Sequence, residues 1–288
     1  NNHRVTRITD ANGHTSDYNY SQGFLEYTNS ALRHSEYYSR DMKGNLRGFE
    51  DANGHKIFNY FDDNDRITTT IDAVGFLTRN EYDANGNLVK QTRFANKVTP
   101  PPYVENWNWV PPDVTLDAEH DQVVTYEYDK LNRQIARTDG EGHTTRFTYD
   151  DVGNLVASTD ANGHTTSMVY DELNRLVSQT DALGQVTRFS FDAVGNRLAV
   201  IDAAGHTSSF EYDADNRLIS QTDNLGQTTR FEYDAVDNRI SMLDAAGGTT
   251  TYAYDLDQHL VGQTDALGHV TTFTVDALGN RLESVDAK

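Results

Sequence analysis

Apolar and polar side chains alternate along TTRFEYD (228–234): Thr229, Phe231 and Tyr233 fall on one side of an extended chain, and Thr228, Arg230 and Glu232 on the other. A second kind of short run, NRLISQTD (216–223), is again rich in β-branched and apolar residues and again ends in aspartate. Runs of this length and period read as half-buried strands. What separates them is D-A-x-G or a close variant, which reads as a turn. The aspartate accepts a hydrogen bond from the backbone two residues on, and the glycine takes the positive φ of a type I turn closing into a G1 bulge. Asn174 and Asn216 stand where Gly195 stands elsewhere, and asparagine tolerates that conformation too. The predicted unit is therefore strand, turn, strand, turn.

The unit repeats. Tyr128, Tyr149, Tyr170, Phe191, Tyr212, Tyr233 and Tyr254 each precede an aspartate and are 21 residues apart, with Val275-Asp276 in the next slot. A second aspartate keeps the same step from Asp139 to Asp286, and Asp41, Asp62 and Asp83 keep it upstream. Eleven units are readable, and SDYNYSQGF (16–24) has the look of a worn twelfth. DELNRLVSQTD (171–181) and DAVGNRLAVID (192–202) place their apolar residues differently, so neighbouring hairpins must differ in register or surroundings. Arg146, Arg188 and Arg230 recur only in alternate units, making the true period 42 residues. Eleven units predict roughly 22 strands, a stack on the order of 105 Å at ~4.8 Å per strand. Open sheets of that length twist and coil. The expected fold class is all-β: YD-repeat hairpins with a 21-residue unit and a 42-residue super-repeat, in a long coiled antiparallel sheet.

One interruption breaks the pattern. Between Arg93 and Asp129 the chain takes 36 residues where the repeat takes 11, and RFANKVTPPPYVENWNWVPPDVTL (93–116) holds all five prolines and both tryptophans. The alternation of hairpin kinds resumes unbroken, so this segment reads as a loop inserted into one turn. The expected organisation is one continuous repeat domain, 1–92 and 117–288, with a Pro/Trp-rich insertion at 93–116, the whole being a section of a longer chain. Tyr103, Trp107 and Trp109 are its candidate contact residues. They suit either an aromatic platform for a sugar or peptide, or a plug over the apolar side of the sheet; the plug is the preferred reading.

Composition narrows the function. A formal charge of −20 and a pI near 4.7 argue against nucleic acid and anionic membranes as partners. No apolar run is long enough to insert into a bilayer. The absence of cysteine removes disulfides and thiolate metal sites. Paired carboxylates such as Asp62-Asp63 and Asp150-Asp151 recur at water-exposed turns, where nothing would raise one pKa for glycosidase chemistry, and D-A-N-G alone supplies too few oxygens for calcium. His14, His55, His143, His164, His206 and His269 follow turn glycines and read as solvated turn residues. The Arg146, Arg188 and Arg230 series reads as a cross-strand ion-pair ladder with Glu or Asp. No catalytic residue, metal or cofactor is expected.

With YDANGNL (82–88), YDDVGNL (149–155) and DALGHVTTF (265–273) at this spacing, the chain resembles the Rhs/YD-repeat family, which includes Rhs toxins, the B/C proteins of insecticidal toxin complexes, bacterial wall-associated proteins and teneurins. The resemblance covers nearly everything but the insertion. It implies a spiralling sheet that closes into a hollow shell, of which this chain is a part, and which in the bacterial toxins encloses a cytotoxic C-terminal domain. No counterpart of the family's self-cleaving aspartate segment is present, and the turn aspartates inherit no such role. The expected function is a non-enzymatic encapsulation scaffold of a secreted or cell-surface bacterial protein, with a toxin or cargo domain of the same parent chain as partner. The alternative is an extracellular adhesion or carbohydrate-binding protein with a glycan as partner.

Overall fold

The computed structural model of the protein describes residues 5–10, 14–21, 23–30, 35–99, 110–276 and 279–286. The described residues form 25 strands and no helix, in one open antiparallel sheet. The eleven units supply 22 of these, from Ser35–Arg40 to Arg281–Val285; the worn start supplies three more, Arg7–Thr9, Thr15–Ser21 and Phe24–Asn29. The chain divides into two compact units, residues 1–148 with 159–163, and residues 149–158 with 164–288.

The corners are built as their sequence dictates. At Asp192 the N–H of Gly195 donates to the Asp192 carbonyl at 3.3 Å, and the Asp192 N–H donates to the Asn196 carbonyl at 2.9 Å. The residue that closes the turn is left-handed: φ is +105° at Gly195, +60° at Asn174 and +63° at Asn216. Asp65, Asn132 and Asp237 take the same conformation, which short polar side chains reach at modest cost, and so does Gln258. Each Tyr-Asp corner is followed by a bulge: Glu211 faces Ser220 but Tyr212 faces Leu218, and Glu232 faces Ser241 but Tyr233 faces Arg239. The two kinds of hairpin therefore share one register. Their difference lies in the surroundings, because the added glycine in DAVGNRL slides N-R-L by one residue against an unchanged corner. Arg217 thus stands fourth after its aspartate, and Arg197 fifth.

Side chains opposite each other in a ladder share a face. In the second unit one face carries Phe189 opposite Val200, Phe210 opposite Gln221 and Phe231 opposite Met242. The other carries serine, threonine and alternate arginines, with Ser178 opposite Arg188 and Ser220 opposite Arg230. Among the described residues of this unit only Ser220 and Gly262 are buried, so the unit is a single layer with both faces partly open.

The first unit has a roof over the second of these faces. Phe58, Ile71 and Leu77 are fully buried, with Tyr60 and Phe94 nearly so, and Val98 and Val114 pack against them. Phe58, Ile71 and Leu77 form one rung across three strands, and Tyr60, Thr69, Arg79 and Thr92 the next. Phe58 lies four residues before a corner aspartate, the position held by Ser167 and Ser209 in the second unit. A large ring thus replaces a hydroxyl where the sheet is covered. The cover comes from the inserted segment. The strand Leu88–Lys97 carries five of its residues, the Val98 N–H donates to the Gly75 carbonyl at 2.9 Å, and the Asn96 amide donates to the Thr115 carbonyl at 2.9 Å. Asp121 fixes the return: its carboxylate accepts from the N–H groups of Ala95 at 2.8 Å and Asp117 at 3.0 Å. Gly75 serves two needs, a φ of +93° and an approach so close that a Cβ there would lie 2.9 Å from the Val98 carbonyl oxygen. Tyr103, Trp107 and Trp109 lie outside the described residues.

Leu77→Ala should destabilise the first unit by about 2–5 kcal/mol, because it opens a cavity under the strap. Val74→Ala, at a side chain 59% exposed, should change stability by less than about 0.5 kcal/mol. Urea titrations of the two variants beside the parent protein measure both.

Candidate functional site

The richest constellation of polar side chains is the edge formed by the Tyr-Asp corners. Each corner aspartate uses both carboxylate oxygens. In Asp213, Oδ1 accepts from the N–H of Asp215 at 3.0 Å and of Arg217 at 2.9 Å, while Oδ2 accepts from Arg217 Nε at 2.7 Å. In Asp192, Oδ2 accepts instead from the Asn196 amide at 2.9 Å. The fourth residue alternates without a break through Asn45, Arg66, Asn87, Arg133, Asn154, Arg175, Asn196, Arg217 and Asn238, then His259 and Asn280. That alternation is the clearest sign of the 42-residue period, and the sequence alone offered it.

Its purpose becomes plain between corners. The asparagine amides reach the next corner's left-handed residue: Asn45 to Asp65, Asn87 to Asn132, Asn154 to Asn174 and Asn196 to Asn216, each at 2.9 Å. The arginines answer in the same direction. Arg175 Nη1 donates to the Asp192 carbonyl at 2.7 Å, and Arg217 Nη1 donates to the Asp234 carbonyl at 3.0 Å and to Asp237 Oδ1 at 2.7 Å. Each guanidinium also lies over the next ring, Arg175 at 5.0 Å from Phe191 and Arg217 at 5.1 Å from Tyr233. The tyrosines reach back: the hydroxyls of Tyr82, Tyr128, Tyr170, Tyr233 and Tyr254 donate to the carbonyls of Ile67, Leu88, Leu155, Leu218 and Arg239, at 2.8–3.1 Å. Every one of these acceptors is the fifth residue after the preceding corner aspartate, at the bulge where the ladder is interrupted. In the Y-D pair, aspartate closes its own corner and tyrosine clasps the one before.

These contacts favour ionised aspartate. The Arg66 guanidinium, then its N–H, holds the Asp62 carboxyl below the usual carboxylate range. The N–H of Arg217 and then its guanidinium do so for Asp213, and the Asn87 amide for Asp83. On the opposite edge, the His206 and His269 rings have the same effect on Asp202 and Asp265. This is the reverse of what a general acid requires.

The remaining candidates are not assembled into a reactive site. His14, His55, His206 and His269 are exposed, and each places Nδ1 2.8–2.9 Å from its own turn aspartate. Among the described residues no group of three or more His, Asp or Glu could hold a metal ion. A recess of about 440 Å³ between the Asp150 and Asp171 corners is open, and Asn154, Val156, Met168 and Tyr170 line it without any nucleophile and base in contact. The expected ion-pair ladder at Arg146, Arg188 and Arg230 does not form. Ala136 stands across from the first, Ser178 and Ile201 flank the second, and Ser220 and Leu243 flank the third, and none of these is a carboxylate. The corner arginines Arg66, Arg133, Arg175 and Arg217 do pair with aspartate, each with that of its own corner.

Because the corner carboxylates titrate below their unfolded values, their stabilisation is complete above about pH 5 and is lost as pH falls through the lowered folded values. The double variant Asp62→Asn/Asp213→Asn should melt below the parent protein at pH 6, and the gap between the two should narrow as the pH is taken from 4 towards 2. Thermal melts across that range read the difference directly.

The teneurin YD-shell family model matches residues 103–287. No curated protein matches the chain. Among solved structures, TcdB2-TccC3 without its hypervariable C-terminal region aligns with a TM-score of 0.54 at 14% identity, over 97% of this chain and 19% of that one. Complete TcdB2-TccC3 gives 0.52 at 17% identity over 97% and 18% of the two chains. A Photorhabdus luminescens Tc holotoxin pore gives 0.50 at 14% identity over 97% and 19%. At such identities the likeness is one of fold, and this chain spans less than a fifth of those structures. With its 21-residue units, aspartate corners and antiparallel sheet, the chain belongs to the teneurin YD-shell family and is a shell-forming scaffold.

Proposed function

We propose that this chain is a section of wall that sequesters a toxin or other cargo domain carried by the same parent protein. The observation that carries the reading is the economy of the second unit: a single layer, open on both faces, whose polar side chains are spent on joining one hairpin to the next. Such a sheet extends indefinitely by adding units and has little to offer as a catalyst, so the segment has no enzymatic activity of its own. The Tc structures with the same fold support a cargo at the C-terminal side, since one of them is described by the absence of a hypervariable C-terminal region. A secreted or cell-surface bacterial setting is suggested by the Tc likeness.

In the intact parent protein a downstream domain should resist protease and remain inactive while attached, and should gain both protease sensitivity and activity once expressed apart from the repeats. Limited proteolysis with an activity assay on both forms is the test, and an exposed, active domain in the intact parent would refute enclosure.

A further inference from the structure

On the hydroxyl-rich face of the second unit, Arg188 stands between Ser178 and Ile201 rather than opposite a carboxylate. Val169, Ser178, Arg188 and Ile201 form one rung across four strands. Val169 is 56% exposed, Arg188 is exposed and Ile201 is half-buried. Among the described residues no carboxylate or aromatic ring lies within bonding reach of Arg188, in a chain whose formal charge is −20. One 42-residue step on, Arg230 repeats the arrangement between Ser220 and Leu243, but Glu211 and Glu232 share its face. Arg188 therefore has the more anion-receptive surroundings.

The first unit shows what such a rung can take. There the same repeat position is Arg79, and it is occupied: its guanidinium lies 5.3 Å from the ring of Phe94, beside the strap whose Val98 and Val114 cover Phe58, Ile71 and Leu77. Val98 and Val114 pack on that face, and the residue beside Val114 is an exposed carboxylate, Asp113. We propose that the Arg188 rung of the second unit docks an extended polypeptide segment in which a carboxylate stands within two residues of an aliphatic side chain. The carboxylate pairs with Arg188, and the aliphatic group lies against Ile201 or Val169. From Val169 to Ile201 is three strand spacings, ~14 Å, which four or five residues of extended chain span. A guanidinium and carboxylate supply direction and specificity, and the flanking aliphatic surface supplies burial. The proposal concerns the chain alone and is independent of whether the parent protein encloses a cargo.

The strap's own sequence provides the probe. Fluorescein-labelled VPPDVTLD, residues 110–117, should bind the 288-residue chain saturably in an anisotropy titration. Arg188→Gln should weaken binding at least tenfold, Lys130→Gln should leave it unchanged, and the peptide VPPNVTLN should bind at least tenfold more weakly than its acidic parent. In amide NMR spectra of labelled protein, the peptide should shift Val169, Ser178, Arg188 and Ile201. Absence of saturable binding, an equal loss with Lys130→Gln, undiminished binding of VPPNVTLN, or shifts centred on Leu77 and Phe94 would each overturn the proposal.

Discussion

The structure depends on one carboxylate grip. An aspartate at the start of a corner accepts two backbone N–H groups with one oxygen and a side chain four residues on with the other. This fixes the turn type, the turn type fixes the bulge, and the bulge fixes which residues meet across the ladder. Faces, rungs and edge contacts all follow from where that aspartate stands. In a sheet without a continuous core, register must come from such local devices, since burial on one face cannot supply it.

The energetics are correspondingly local. Successive strands pair with their neighbours in sequence, and the edge bonds join adjacent corners. Stability in such an architecture approximates a sum over units and their interfaces, and contacts of short sequence separation form early in folding. The first unit departs from this by adding a dry cluster under its strap, where Phe58, Ile71 and Leu77 lose all contact with water. It therefore has a conventional core, which the second unit does without.

The repeat was legible because corners are chemically demanding. Only a few residues combine a turn-capping carboxylate with a left-handed closing residue, so Asp192, Gly195 and Asn216 declared themselves. The strand count was short by three because units were counted by their Tyr-Asp corners, and the start has no such pair although it keeps the D-A-N-G run at Asp10 and the alternation that makes strands. The Tyr233 clasp and the Asn196 relay were not read, although both residues recur in phase, because their partners lie 15 and 20 residues away and become neighbours only once the register is known. The same ignorance of register produced the mistaken ion-pair ladder: Arg188 was assigned a carboxylate, and the bulge set it between Ser178 and Ile201. As for the insertion, its prolines announced a departure from the sheet, but only the buried rung at Phe58 shows why the chain returns across it.

The alternating edge also constrains how a chain of this kind can change length. An asparagine corner donates to a neighbour whose closing residue bears a side-chain oxygen, as Asn196 does to Asn216, whereas a glycine in that place offers none. Loss or gain of a single hairpin would set like beside like and leave one amide without its acceptor. A pair of hairpins can be duplicated or deleted with every contact restored. Recombination in steps of two hairpins would keep every such edge contact, whereas a step of one would break one of them.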